Sequence, residues 1–214
     1  MKKGRVVIGF SAPFVGLYKC EGGAVTFTNG MRLARGVDVD VNPEVSEDNE
    51  FYADNTVAES EGGEFKKGTV TYTVDGLLDA ADRFIYGRPE PEKMNIGDKQ
   101  INVTKDGNKS KSPYVGTGFV VAYQSEGVET YEPVILPKVK FKPNKMGAKT
   151  AEGQKNYQTQ ILEATICRED SVDRNWRWRF EEQATEAEAI AILATVFNVA
   201  NAEEPAEAQE GNDG

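Results

Sequence analysis

Residues 49–87 read NEFYADNTVAESEGGEFKKGTVTYTVDGLLDAADRFIYG. Residues 49–61 are strand-like, and Gly62 and Gly63 break them off, as a tight turn between strands requires. Beyond the glycines, Val70, Tyr72 and Val74 alternate with Thr69, Thr71 and Thr73. That period of two marks a half-buried strand with one apolar and one hydroxyl face. The period then changes. Leu77 or Leu78, Ala81, Phe84 and Ile85 share one helical stripe, with Asp75 placed to cap its start and Gly87 to cap its end. The stretch predicts strand, turn, strand, helix. It holds no His and no Cys, so its clearest content is architectural.

Strand signals continue on both sides. Val37, Val39 and Val41 alternate with Asp38 and Asp40. Residues 118–123 form a short apolar run. Val139 and Phe141 alternate with Lys138 and Lys140 after Pro137, which predicts a strand near a sheet edge. Residues 157–168 predict a long strand with Leu162, Ala164 and Ile166 inward. Residues 175–181 place Trp176, Trp178 and Phe180 on one face and Arg177 and Arg179 on the other. The polar turn at 169–173 predicts that these last two strands pair. Thr185 followed by Glu188 is a capping box, and Ile190, Leu193, Ala194 and Phe197 form the buried side of the helix it starts. The predicted class is mainly β, of α+β type: an antiparallel β-sandwich or partly closed barrel with a flanking α-helix and a C-terminal helix. One domain is expected over residues 1–198. Its long loop, 88–116, is punctuated by Pro89, Pro91, Gly97, Gly107 and Pro113, and an acidic, disordered tail is expected over 199–214.

Composition removes several function classes. With 214 residues, 39% hydrophobic and 28% charged, the chain has material for a substantial core. No apolar run approaches the roughly 18 residues that span a bilayer, and the basic start lacks a long apolar stretch, so synthesis and retention in the cytoplasm are expected. The absence of His excludes Ser-His-Asp, Cys-His and His-ligated metal chemistry. Cys20 and Cys167 are too few for a disulfide framework or a CxxC metal site. No cofactor or metal is implied. Of the net charge of −10, half lies in residues 201–214, which carry Glu203, Glu204, Glu207, Glu210, Asp213 and no base. Such a surface repels DNA, whose phosphates are held by clustered Lys and Arg. Asp38 and Asp40 share a strand face, but no deep cleft or further oxygen ligands are signalled beside them. The aromatic–Arg run at 176–179 reads as core Trp with exposed Arg, or as subunit contact. Neither Gly pair has phosphate-loop spacing.

The segment FYADNTVAE at 51–59, with the Val- and acid-rich strand of residues 37–44 before it and the Thr-rich strand and helix after it, resembles the major tail, or tail tube, proteins of long, non-contractile-tailed bacteriophages, siphophages of Gram-positive hosts in particular. The likeness extends over about residues 4–198 through the 116–123 run, the Pro-containing 134–142 stretch and the strands to Phe180. The resemblance implies a structural virion protein, not an enzyme. In that family hexameric rings stack into a tube around a tape-measure protein, joined to tail-tip or baseplate and terminator proteins. Genomic DNA passes through the lumen without specific binding. It implies assembly in the host cytoplasm, a final place in the virion tail, and no membrane. The acidic tail and the lack of an added immunoglobulin-like domain depart from some members. Under this reading Asp38, Asp40, Tyr52, Asp54 and Glu59 are candidates for lumen-lining or ring-closing strands. Lys105, Lys109, Lys111 and Tyr114 are candidates for an inter-ring loop, and Trp176 and Trp178 for core or subunit interface. The alternatives are another β-sandwich virion component, such as a capsid decoration or baseplate protein, and a carbohydrate-binding or hydrolytic β-sandwich using Asp38, Asp40 and Tyr52.

Overall fold

The computed structural model of the protein describes residues 4–47, 49–53, 56–108, 110–143 and 159–199, and only the backbone of 49–53 and 56–61. The predicted Asp54, Lys109 and acidic tail at 200–214 lie outside these residues, as do the side chains of Tyr52 and Glu59.

The described residues are mainly strand. In chain order the elements are β1 (Val6–Glu21), β2 (Ala24–Arg32), β3 (Ala34–Val45), β4 (Asn49–Ala53), β5 (Thr56–Glu61), β6 (Phe65–Leu77), α1 (Asp79–Tyr86), β7 (Glu92–Ile96) and β8 (Lys99–Val103). They continue with β9 (Val115–Ser125), β10 (Val128–Phe141), β11 (Gln160–Cys167), β12 (Trp178–Arg179) and α2 (Glu186–Val196). Eight strands form one antiparallel sheet in the order β2-β1-β9-β10-β11-β6-β3, with β12 also on β10. The sheet curls on itself but does not close into a barrel.

Alternation sends neighbouring side chains into two separate cores. On β9, Phe119 faces an inner core and Val120 an outer one; on β10, Val134 and Leu136 face inward and Ile135 outward. The inner core collects Tyr72, Val70 and Val74 of β6, Leu162, Ala164 and Ile166 of β11, and Ala81, Ile85 and Tyr86 of α1. The outer core is covered by α2, through Ala189, Leu193, Ala194 and the following Phe197. Because both faces are covered, β9 is buried continuously from Val115 to Val120, and its sequence reads as an unbroken run.

Glycines make room for the outer core. A Cβ on Gly116 would lie 2.2 Å from the Phe27 ring, and one on Gly118 would lie 2.7 Å from the Phe197 ring. A Cβ on Gly30 would lie 2.0 Å from the backbone oxygen of Phe197. Phe27 and Phe197 meet at 4.9 Å between ring centroids. The helix begins as its sequence predicts: Thr185 accepts from the Glu188 amide, and the Glu188 carboxylate accepts from the Thr185 amide.

Several expectations are corrected. Residues 51–59 are not one strand, and the turn is not at Gly62 and Gly63. The chain reverses between Ala53 and Thr56, so β4 and β5 form their own hairpin, and the glycines mark the break before β6. Asp75 does not cap α1: β6 runs on to Leu77, and Leu78 is the N-cap, without a side-chain bond. Gly87 closes the helix in the left-handed region, φ 59°. Strand β10 is central, not near an edge. Its Pro137 sits in a register shift where the partner on one side changes from β12 to β11, so the missing N–H interrupts no ladder. The last two strands do not pair with each other; both pair with β10, whose fourteen residues accommodate them in succession.

The two-sided packing carries a direct consequence. Gly30→Ala drives a methyl into the backbone behind Phe197 and is expected to cost about 1–3 kcal/mol in urea denaturation. Gly76→Ala, where a Cβ meets nothing within 4 Å, is expected to be neutral or stabilising.

Candidate functional site

The sheet stays open because of one divergence. β2 pairs with β1 from Phe14 to Glu21, and the Leu33 amide donates to the Pro13 carbonyl at 2.8 Å. The chain then leaves β1 and crosses to β6 as β3. Among the described residues, the N-terminal half of β1 and β3 therefore do not pair with each other, and each keeps a free edge. Between them lies a cleft of about 500 Å³. Phe10, Val39, Val41, Phe119 and Val121 line its interior, with Asp38, Tyr123, Arg177 and Arg179 among its polar groups. Of its lining, Val7 and Val37 are well exposed, at 61% and 57%.

Val37 is exposed because the register shifts between Gly36 and Asp38. A Cβ on Gly36 would lie 2.2 Å from the Phe10 ring, so the ring packs there against bare backbone. Past the shift, Val39 and Val41 turn to the inner core as alternation predicts. Asp38 and Asp40 are exposed, opposite Thr73 and Thr71. Asp38 lines the cleft, whereas Asp40 accepts from the Asn42 amide at 2.6 Å and is not in the lining. The two carboxylates are therefore not brought together in one groove. Among the described residues, no group of three or more His, Cys, Asp or Glu is placed to hold a metal ion.

The loop at 88–116 has structure of its own. β7 and β8 form a hairpin around Gly97 and Asp98. Met94 pairs with Ile101 and Ile96 with Lys99, so Met94, Ile96 and Ile101 share one face, and all three are exposed. An isolated two-stranded hairpin is marginal in water, and this one carries an uncovered apolar stripe. Lys105 pairs with Glu92 at 2.9 Å near the hairpin's base. Lys111 and Tyr114 are not on the hairpin. The Lys111 backbone lies against Gly87, and the Tyr114 ring lies under the Lys138 and Lys140 ammonium groups at 4.7 and 5.5 Å. The sequence signalled a basic loop; the Gly97-Asp98 turn flanked by Ile96 and Ile101 was the overlooked sign of a hairpin.

Trp176 and Trp178 part company because β12 is only two residues long. Trp176 stacks on Phe65 at 4.6 Å against the inner core, and Trp178 meets Phe27 edge-on at 5.8 Å in the outer core. The Trp178 indole donates to Glu169 at 3.0 Å. Both tryptophans are thus packed within the subunit.

Two buried carboxylates fix the cleft wall and the turn behind it. Glu132 accepts from Arg179 Nε and Nη2 at 2.7 and 2.9 Å and from Arg5 Nη2 at 3.3 Å. Burial pushes its pKa up, but the Arg179 and Tyr123 hydrogen bonds and the two guanidinium charges outweigh that and hold it below the usual value. Glu169 accepts from Ser171, Asn175 and Trp178. Tyr72 donates into, or accepts from, Thr117 at 2.9 Å inside the inner core, and burial raises its pKa. Burial likewise pushes Tyr86 up to about 12.

No protein-family model and no curated protein sequence matches the chain significantly. Among the described residues, no helix is long and apolar enough to cross a membrane.

Removing Glu132 with an Ala substitution is expected to cost about 1.5–3 kcal/mol at neutral pH, the usual worth of hydrogen bonds to charged groups. A carboxylate whose pKa is lowered by folding stabilises above its unfolded value and loses that contribution as pH falls through the folded one. The gap between wild type and Glu132→Ala in denaturant titrations is therefore expected to narrow below the ordinary value of 4.5. A gap of constant size down to about pH 2 contradicts the assignment.

Proposed function

We propose that the chain is a self-assembling structural subunit, without catalytic activity, that forms hexameric rings stacked into the tube of a long non-contractile phage tail. The observation that carries this reading is the open seam: among the described residues two free strand edges flank a cleft whose lining includes the exposed Val7 and Val37. Free edges and apolar rims invite pairing with another chain. The β7–β8 hairpin presents a second uncovered apolar stripe. Two different unpartnered features on one subunit suit a head-to-tail contact, which closes into a ring when the rotation per subunit allows.

The outer face of β3, β6 and β11, which no described element covers, supports a place for DNA to pass. It presents Asp38 and Asp40 beside Thr73 and Thr71, with Glu163 opposite Thr71. Its carboxylates repel phosphates, and the lysines beside them, Lys67 and Lys142, are already paired with Glu44 and Glu163. Through the sequence resemblance, the tape-measure, tail-tip and terminator proteins are the partners that fit such a tube, and the virion tail is its location.

Negative-stain microscopy of the concentrated protein tests the reading. Rings or open-ended tubes are expected. Compact closed particles, or monomers at every concentration, contradict it. Deleting residues 92–103 removes the hairpin but none of the two cores, so the variant is expected to melt as wild type does while forming no long tubes. Normal tubes from the deletion variant overturn the hairpin's role in stacking.

A further inference from the structure

At the C-terminal end of β10 lies a groove of about 500 Å³ whose described charge runs against that of the chain. Among the described residues its lining contains Lys111, Lys140 and Lys142 and no acidic residue, in a protein of net charge −10. Phe141 and Tyr114 give it an apolar base, and Ser110, Ser112 and Thr165 give it hydroxyl donors. Lys140 lies over the Tyr114 ring at 5.5 Å and Lys142 pairs with Glu163 beside the groove. Neighbouring Lys138 is already committed to Asp170 at 2.6 Å.

One segment of the same chain has the opposite character. Residues 200–214 carry five carboxylates and no base. They start where Val199 bridges Gly30 of β2. Gly30 lies between Thr28 and Met31, which pair with Leu17 and Val15 of β1; these pair with Val115 and Thr117 of β9, and Val115 pairs with Val139 of β10. Three strand spacings, about 15 Å in all, thus separate the anchor from Lys140. Fifteen extended residues span up to about 50 Å. The side also agrees. Val139 and Phe141 enter the inner core, so the alternating Lys138 and Lys140 point to the face that α2 covers.

We propose that residues 200–214 dock back onto this groove, with their carboxylates against Lys111 and Lys140. The groove is thus a site for an acidic extended peptide, and the chain's own terminus is its occupant. The inference stands apart from the tube reading: it needs neither rings nor partners.

Paramagnetic broadening tests it on the monomeric full-length chain. A nitroxide is attached at Asp213→Cys in a Cys20→Ser, Cys167→Ser background, and the amide signals are assigned. Broadening is expected at residues 110–114, 138–142 and 165, and it is expected to vanish in high salt, which screens such contacts. The double substitution Lys111→Glu, Lys140→Glu is expected to abolish it while leaving the remaining spectrum in place. Should the double variant misfold, the salt titration alone decides. Broadening spread evenly over the surface, broadening centred elsewhere, or broadening indifferent to salt overturns the proposal. So does broadening that appears only between a labelled and an unlabelled molecule, since the docking is within one chain.

Discussion

Strands β9 and β10 are packed on both faces, and the rest of the molecule is arranged around that constraint. Each strand divides its side chains between an inner core that the sheet wraps and an outer core that α2 covers. Dispersion and burial act on both sides of the same backbone, so each fully buried Leu or Phe adds about 1.5–3 kcal/mol. The requirement for close approach explains why Gly16, Gly30, Gly116 and Gly118 surround Phe27 and Phe197. It also explains why Tyr72 and Thr117 bond to each other: neither hydroxyl reaches water.

The same arrangement leaves an opening. Covering the outer face with α2 takes β2 out of the wrap, because β2 stays on β1 while β3 departs to β6. The inner core is then sealed on three sides and gapes on the fourth, between β1 and β3. Glu132, with Arg179 and Arg5, stiffens one wall of that gap. The fold so built carries an edge, a cleft and a hairpin stripe at its surface. Strand edges therefore carry the functional account more than any single side chain does.

Much of the fold was legible in the sequence where period and capping agree locally. Val70, Tyr72 and Val74 face the core, Thr185 and Glu188 cap α2, and Gly87 ends α1, all as their spacing indicates. The errors fall where distant pairing overrides local signal. Pro137 suggests an edge, but a change of partner on β10 accommodates it. The alternation of Trp176 and Trp178 suggests one face, but β12 is too short to impose it. Gly62 and Gly63 look like a turn, but the chain reverses earlier, between Ala53 and Thr56. The candidate surface was legible only in part. Asp38 lines the cleft as an exposed carboxylate of an edge strand, but the cleft arises from the β1–β3 divergence, which no local pattern encodes.

The central claim is that the open seam and the hairpin are contact surfaces between copies. Hydrogen–deuterium exchange of the dilute monomer and of the concentrated protein measures it directly. Exchange is expected to slow on assembly at residues 34–45 and 92–103, with β9 and β10 already protected in the monomer. Identical exchange in both states, or protection gained only away from those two segments, contradicts the account.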